Sequence, residues 1–164
     1  MNSTFNFRRA VPAALLVAVL GGFIAGCGAP TPDDGADPKV TTMGTIEVTA
    51  KLVDITGEFP PNDLYDYAYV MKYEVLQVHR GDAAGTLLVG QYNPLKKRAE
   101  AADQRSGEIG GNVTRFRVGD VHRLALDVPI DNFCMAGIIN KYADESKPSD
   151  APIYWAVWTN RVVQ

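Results

Sequence analysis

Two histidines occur in the 164 residues, and His122 is the one whose neighbours could do chemistry. It stands between Asp120 and Asp127, and an imidazole oriented by a carboxylate is the pairing that general acid–base catalysis uses. A hydrolase or transferase accessory would employ His122 with one of these acids, Asp120 being the candidate next to it. The plainer reading is also open: His122 falls in phase with Leu124 and Leu126, so its ring is expected to pack while one nitrogen finds a partner. His79, beside Arg80, reads as a solvated turn residue. No nucleophile is signposted. Ser106, Ser146 and Ser149 lie in loop-like composition, none within Gly-x-Ser-x-Gly. Cys134 sits in Asn132-Phe133-Cys134-Met135, an apolar setting that favours a buried, inert thiol over an exposed one free to pair elsewhere or a nucleophile paired with His122. No His-x-x-x-His or Cys-x-x-Cys spacing supports a metal site, and no cofactor motif is present.

Binding chemistry is better represented than reactive chemistry. Tyr65, Tyr67, Tyr69, Tyr73, Tyr92, Tyr142, Tyr154, Trp155 and Trp158 exceed what a small β domain buries completely. Stacking rings beside hydrogen-bonding groups suit a glycan or an extended peptide. The candidate ligand face is Tyr69, Tyr73 and Tyr92, with Asp63, Asp66 and Trp158 at its borders. Glu58, Asp63 and Asp66 lack the dense spacing of a calcium loop and read as solvated carboxylates.

These residues need elements to position them, and the chain supplies the elements after a leader. Arg8 and Arg9 precede an uncharged stretch, Ala10 to Ala25, of sixteen residues. That is short of the roughly 20 that a spanning helix needs. Ile24-Ala25-Gly26-Cys27 closes it. This resembles the lipobox of bacterial lipoproteins, which implies removal of residues 1–26 and lipidation of Cys27. The implied product carries a diacylglyceryl group and a further acyl chain, and several chains anchor stably where one is marginal. Gly28 is not the Asp that the resemblance associates with inner-membrane retention, so the outer membrane is favoured in a two-membrane envelope. The domain would face the periplasm or the exterior.

Without the leader, 14 basic residues stand against 19 acidic, a balance of −5. A weakly acidic domain is a poor partner for nucleic acid, whose affinity comes largely from phosphate neutralisation. Residues 27–45 are rich in Pro, Gly, Asp and Thr and read as a lipidated flexible tether. The remaining 46–164 is one domain's worth of chain. With Cys27 lipidated, Cys134 has no intrachain partner.

Within 46–164, alternation of apolar and polar residues marks strands at Ile46–Leu52 and Tyr67–Val78, and Thr86–Tyr92, Val121–Val128 and Ile153–Val163 read as three more. The phase slips at Leu52-Val53 and near Val75-Leu76, which predicts bulges. Leu95–Asp103 is made of helix formers and predicts one short helix; 129–151 reads as a long loop or a short-helix excursion. Three strands, a helix and two strands resemble the OB-fold, a five-stranded Greek-key barrel. Tyr73-Glu74-Val75-Leu76-Gln77-Val78-His79-Arg80-Gly81 and Gly119-Asp120-Val121-His122-Arg123-Leu124-Ala125-Leu126 are similar to the Y-x-V-x-x-V-x-x-G and G-x-x-(Y/H)-x-L-x-L stretches of netrin/TIMP-type modules. The disulfide cysteines of those modules are missing, so protease inhibition does not carry over. A β-sandwich is the alternative with similar strand content.

The expected role is a lipid-anchored envelope protein that binds an envelope protein or glycan without catalysing a reaction. An envelope hydrolase or transferase accessory built on His122, and a purely structural lipoprotein, are the alternatives. The expected partners are the membrane, through Cys27, and an envelope protein or glycan.

Overall fold

The computed structural model describes residues 32–61, 66–128, 130–132, 137–139 and 151–163. Five strands carry the fold: β1 (Ile46–Asp54), β2 (Tyr67–Arg80), β3 (Thr86–Tyr92), β4 (Val121–Asp127) and β5 (Ile153–Arg161). β1 pairs antiparallel with both β2 and β4, β2 with β3, and β4 with β5; β3 and β5 run parallel. The order β1-β2-β3-β5-β4 therefore returns to β1, and the sheet is a closed five-stranded OB-like barrel. Closure removes the open sheet edges that a sandwich would leave.

The slips of phase are the bulges that let the strands curl. Thr49 faces Gln77 and Ala50 faces Val75, leaving Leu76 as the extra residue; Leu52 faces Tyr73 and Asp54 faces Lys72, leaving Val53. The long β2 can thus serve two neighbours, pairing β3 through Ala68–Glu74 and β1 through Lys72–Arg80.

Alternate residues fill the barrel: Val48, Ala50, Leu52, Tyr67, Tyr69, Met71, Tyr73, Val89, Leu124 and Leu126 form one buried cluster. A second cluster lies outside the wall, where Ala68, Val70, Leu88, Tyr92, Trp155 and Val157 are covered by Ala101, Ile109 and Ile130. Two short segments add to the sheet. Gly110–Gly111 runs parallel to β5, and Gly137–Ile139 runs parallel to the start of β2.

The short helix expected between the third and fourth strands is present, narrowed within Leu95–Asp103 to the 3-10 helix Arg98–Glu100. The chain there is held by the inward-facing Arg98 and Ala101, both buried, rather than by a helical stripe. The expected tether also ends early. Residues 33–45 pack on the barrel, with α1 (Pro38–Thr42) started by Asp37, whose carboxylate accepts the Val40 N–H at 2.7 Å, and Val40 is fully buried. An Asp cap with Pro at the first helical position is the sequence signal for that start. No helix among the described residues is long and apolar enough to cross a membrane.

The barrel has two distinct ends. At one lie the β1–β2 connection, the chain after β3, the turn before β4 and the end of β5. At the other lie the β2–β3 turn and the starts of β1 and β5. Among the described residues the first contact with the barrel is at the former end, where the Val163 N–H donates to the Asp33 carbonyl at 2.8 Å.

Candidate functional site

β4 delivers His122 to the barrel interior, where it is 1% exposed. Its Nδ1 lies 3.1 Å from the Tyr73 hydroxyl, and Phe116 stands edge-on to its ring at 5.6 Å. Burial lowers its pKa to about 4, against an upward pull from Asp120 and with Arg161 lowering it further. The imidazole is therefore neutral near pH 7 and far below the pKa that suits a general base there. Gln91 and Thr159, also buried, hydrogen-bond each other at 3.2 Å. Polar side chains inside the barrel are thus turned on one another.

Of the two carboxylates that might orient His122, the structure brings only Asp120 to its end of β4. There the two line a cavity of about 190 Å³ together with Arg115, Arg117 and Arg161. Asp127 lies at the opposite end of the strand, accepting the Thr45 N–H at 2.9 Å. His79 is not a free turn residue: its Nε2 is 2.8 Å from the Thr49 hydroxyl, and burial lowers its pKa.

The candidate aromatic face is corrected. Tyr69, Tyr73 and Tyr92 are all fully buried. Tyr69 points into the barrel, capped edge-on by Phe59 at 4.9 Å, and donates to the Thr56 carbonyl. Tyr92 lies outside the wall beneath the covering loops, donating to Asp103 Oδ2 at 2.8 Å and meeting Trp155 edge-on. Burial and Asp103 push its phenol pKa up. The outer face of β2 and β3 is closed by a second layer: a Cβ on Gly90 would stand 2.3 Å from Ile130 Cδ1. Asp66 pairs with Lys96 at 3.3 Å. Trp158 is half-buried under the N-terminal segment, its Nε1 donating to Asp37 at 3.1 Å, with Lys39 Nζ 5.8 Å from the ring centre. Asp63, Cys27 and Cys134 lie outside the described residues.

Two groups stand out that sequence reasoning missed. Arg98 is 2% exposed and donates to the carbonyls of Tyr92, Asn93 and Lys96 at 2.7, 2.5 and 3.1 Å, with its guanidinium 5.2 Å from the Phe116 ring centre. Burial brings its pKa down to about 10. Glu47, also buried, holds Arg123 at 2.7 Å and Arg80 at 3.3 Å, while Arg123 reaches Asp34 at 2.9 Å. This network fastens residues 33–45 to β1, β2 and β4. An arginine among helix formers and a glutamate in a strand carry no periodic signal of burial, so neither was legible.

Open space lies at the rims. Where β3 and β5 begin, Lys72, Thr86, Leu88, Pro152 and Tyr154 line a cavity of about 270 Å³. At the opposite end, Phe59, Pro94, Leu95, Thr114, Arg115 and Phe116 line one of about 430 Å³. Both sites can hold a ligand; neither gathers a nucleophile with a base. Among the described residues no three His, Cys, Asp or Glu side chains converge to hold a metal ion. Comparison with protein-family models, curated proteins and solved structures finds no match to this chain.

Proposed function

We propose that this chain is a lipid-anchored cell-envelope protein whose OB-like barrel is a non-enzymatic binding or adaptor module for an envelope protein or glycan. The observation that carries the reading is a contrast. His122, the residue best suited to catalysis, is buried against Tyr73 and Phe116, and among the described residues no Ser or Cys lines the cavity it shares with Asp120, while the cavity around Tyr154 gathers a ring, donors and apolar surface. There the Tyr154 ring, the Lys72 amine and the Thr86 hydroxyl stand beside Leu88 and Pro152. A ring flanked by donors and apolar surface suits a sugar or an extended peptide. The lipobox residues Ile24-Ala25-Gly26-Cys27 support the anchor, and Gly28 supports the outer membrane where the envelope has one.

The test is cross-linking in native membranes, comparing the wild-type chain with Cys27→Ser and Tyr154→Ala. The expected result is one dominant envelope protein or glycan, captured from the anchored wild type and lost in Tyr154→Ala with anchoring intact. Equal capture by all three chains would contradict the proposal. So would turnover of an envelope substrate that His122→Gln abolishes.

A further inference from the structure

We propose that the barrel end bearing Arg115, Arg117 and Arg161 docks on the anionic surface of the bilayer that holds the anchor. This rests on the reading of Cys27 as the lipidated residue.

The first support is reach. Asp33 is already fixed to Val163, two residues beyond Arg161. Six residues from Cys27 to Asp33 extend at most about 22 Å, whatever their conformation. A flexible tether of nineteen residues would have let the domain tumble freely; a leash this short holds one end of the barrel against the headgroups. That end carries the end of β5, the turn Arg117–Asp120 and the chain after β3.

The second support is charge. The mature chain is acidic, yet Arg115, Arg117 and Arg161 share one cavity wall. All three are exposed, and among the described residues none of their guanidiniums has an ion-pair partner. Among the described residues Asp120 is the single acid lining that cavity. The guanidinium fork matches phosphate geometry, and guanidinium is more weakly hydrated than ammonium, which suits it to a headgroup layer.

The third support is apolar exposure. Of the five exposed large apolar side chains among the described residues, Val118, Leu95 and Val163 are 58, 53 and 43% exposed, while Leu76 and Val78 lie on the far half of β2. All three belong to this end: Val118 between Arg117 and Gly119, Leu95 on the wall of the larger cavity, and Val163 beside the chain's first contact. Apolar tips interspersed with arginines form an interfacial surface rather than a solvated one. The β2–β3 turn and the cavity around Tyr154 then face away from the bilayer, towards a partner.

A basic side chain near an anionic surface contributes about a fivefold gain in binding, so three give roughly a hundredfold bias towards the docked state. The test uses the lipidated full chain in vesicles, with an environment-sensitive fluorescent amino acid at position 118 or, at the opposite end, position 84. Brominated lipids report contact with the bilayer, and vesicle flotation reports the anchor separately. With phosphatidylglycerol present, quenching at position 118 is expected to exceed that at 84 several-fold. The difference should vanish in molar salt, in phosphatidylcholine alone, and in the Arg115→Ala/Arg117→Ala/Arg161→Ala variant. The salt series needs no variant and so does not depend on the variant's folding. Flotation with equal quenching at both positions would overturn the docking and leave the anchored binding module standing. Quenching at 118 that ignores salt and lipid charge would overturn it too. A chain that fails to float would remove the anchor and the docking together.

Discussion

Tyr73 and His122 meet inside the barrel, hydroxyl to Nδ1 at 3.1 Å, on two strands that do not pair with each other. The contact spans the lumen between β2 and β4 and commits both side chains to the interior. It makes stability depend on pH. The unfolded imidazole takes a proton below about 6.5, the folded one only below about 4. As pH falls through that window the unfolded state gains protons first, so stability is lost on acidification. The full window is worth about 3 kcal/mol and the part between pH 7 and pH 5 about 2 kcal/mol. Urea unfolding at the two pH values should show this loss. His79, lowered in the same direction, adds to it. His122→Gln should be less stable at pH 7 but flatter with pH.

Arg98 fastens the chain after β3 through three carbonyls. Arg98→Met would leave buried acceptors unsatisfied and should cost about 3 kcal/mol in denaturant unfolding. Arg98→Lys should recover little of this, because one ammonium cannot reproduce the planar fork.

Gly111 has φ +127°, and a Cβ there would stand 2.0 Å from the Thr159 carbonyl oxygen. Gly111→Ala must therefore displace β5 and should cost about 3 kcal/mol or more. Gly85 also has positive φ, at +64°, but nothing lies within 4 Å of its Cβ position. Gly85→Ala should cost about 1 kcal/mol, from backbone conformation alone. Thermal melts of the pair separate close approach from torsional preference.

Asp37 caps α1 and accepts from both Trp158 and Asn160; burial pulls its pKa up, but these bonds hold it below the usual carboxylate range. Losing the cap costs about 1 kcal/mol and each further bond about as much. Asp37→Ala should therefore destabilise by about 2–3 kcal/mol. Tryptophan emission should shift to the red, and limited proteolysis should cut within 33–45.

Much of the architecture was legible because the barrel obeys alternation. The strands at 46–54 and 67–80 carry the period-two signal, and the breaks at Val53 and Leu76 mark the bulges that curl the sheet. Alternation also placed Tyr69, Met71 and Tyr73 on one face. It could not say that this face points inward, since closure depends on β1 pairing with both β2 and β4, a long-range event. Tyr92 misled for another reason: its cover comes from Ala101, Ile109 and Ile130, residues of connections whose composition reads as solvated. The segment 33–45 has the composition of a tether, yet Asp37-Pro38 carries a helix start and Asp34 and Asp37 carry acceptors for Arg123, Trp158 and Asn160. Composition averages over such single-residue contacts. Arg98 and Glu47 were hidden because a charged residue is assigned to the surface until a partner is seen.

The most direct measurement is the intact mass of the chain extracted from membranes of the producing cell. The expected species begins at Cys27 and carries a diacylglyceryl group with or without a further acyl chain. Cys27→Ser should yield no lipid-bearing form and should leave the membrane fraction. A wild-type chain that begins elsewhere, or that begins at Cys27 without lipid, would contradict the anchored module and the docking surface built on it.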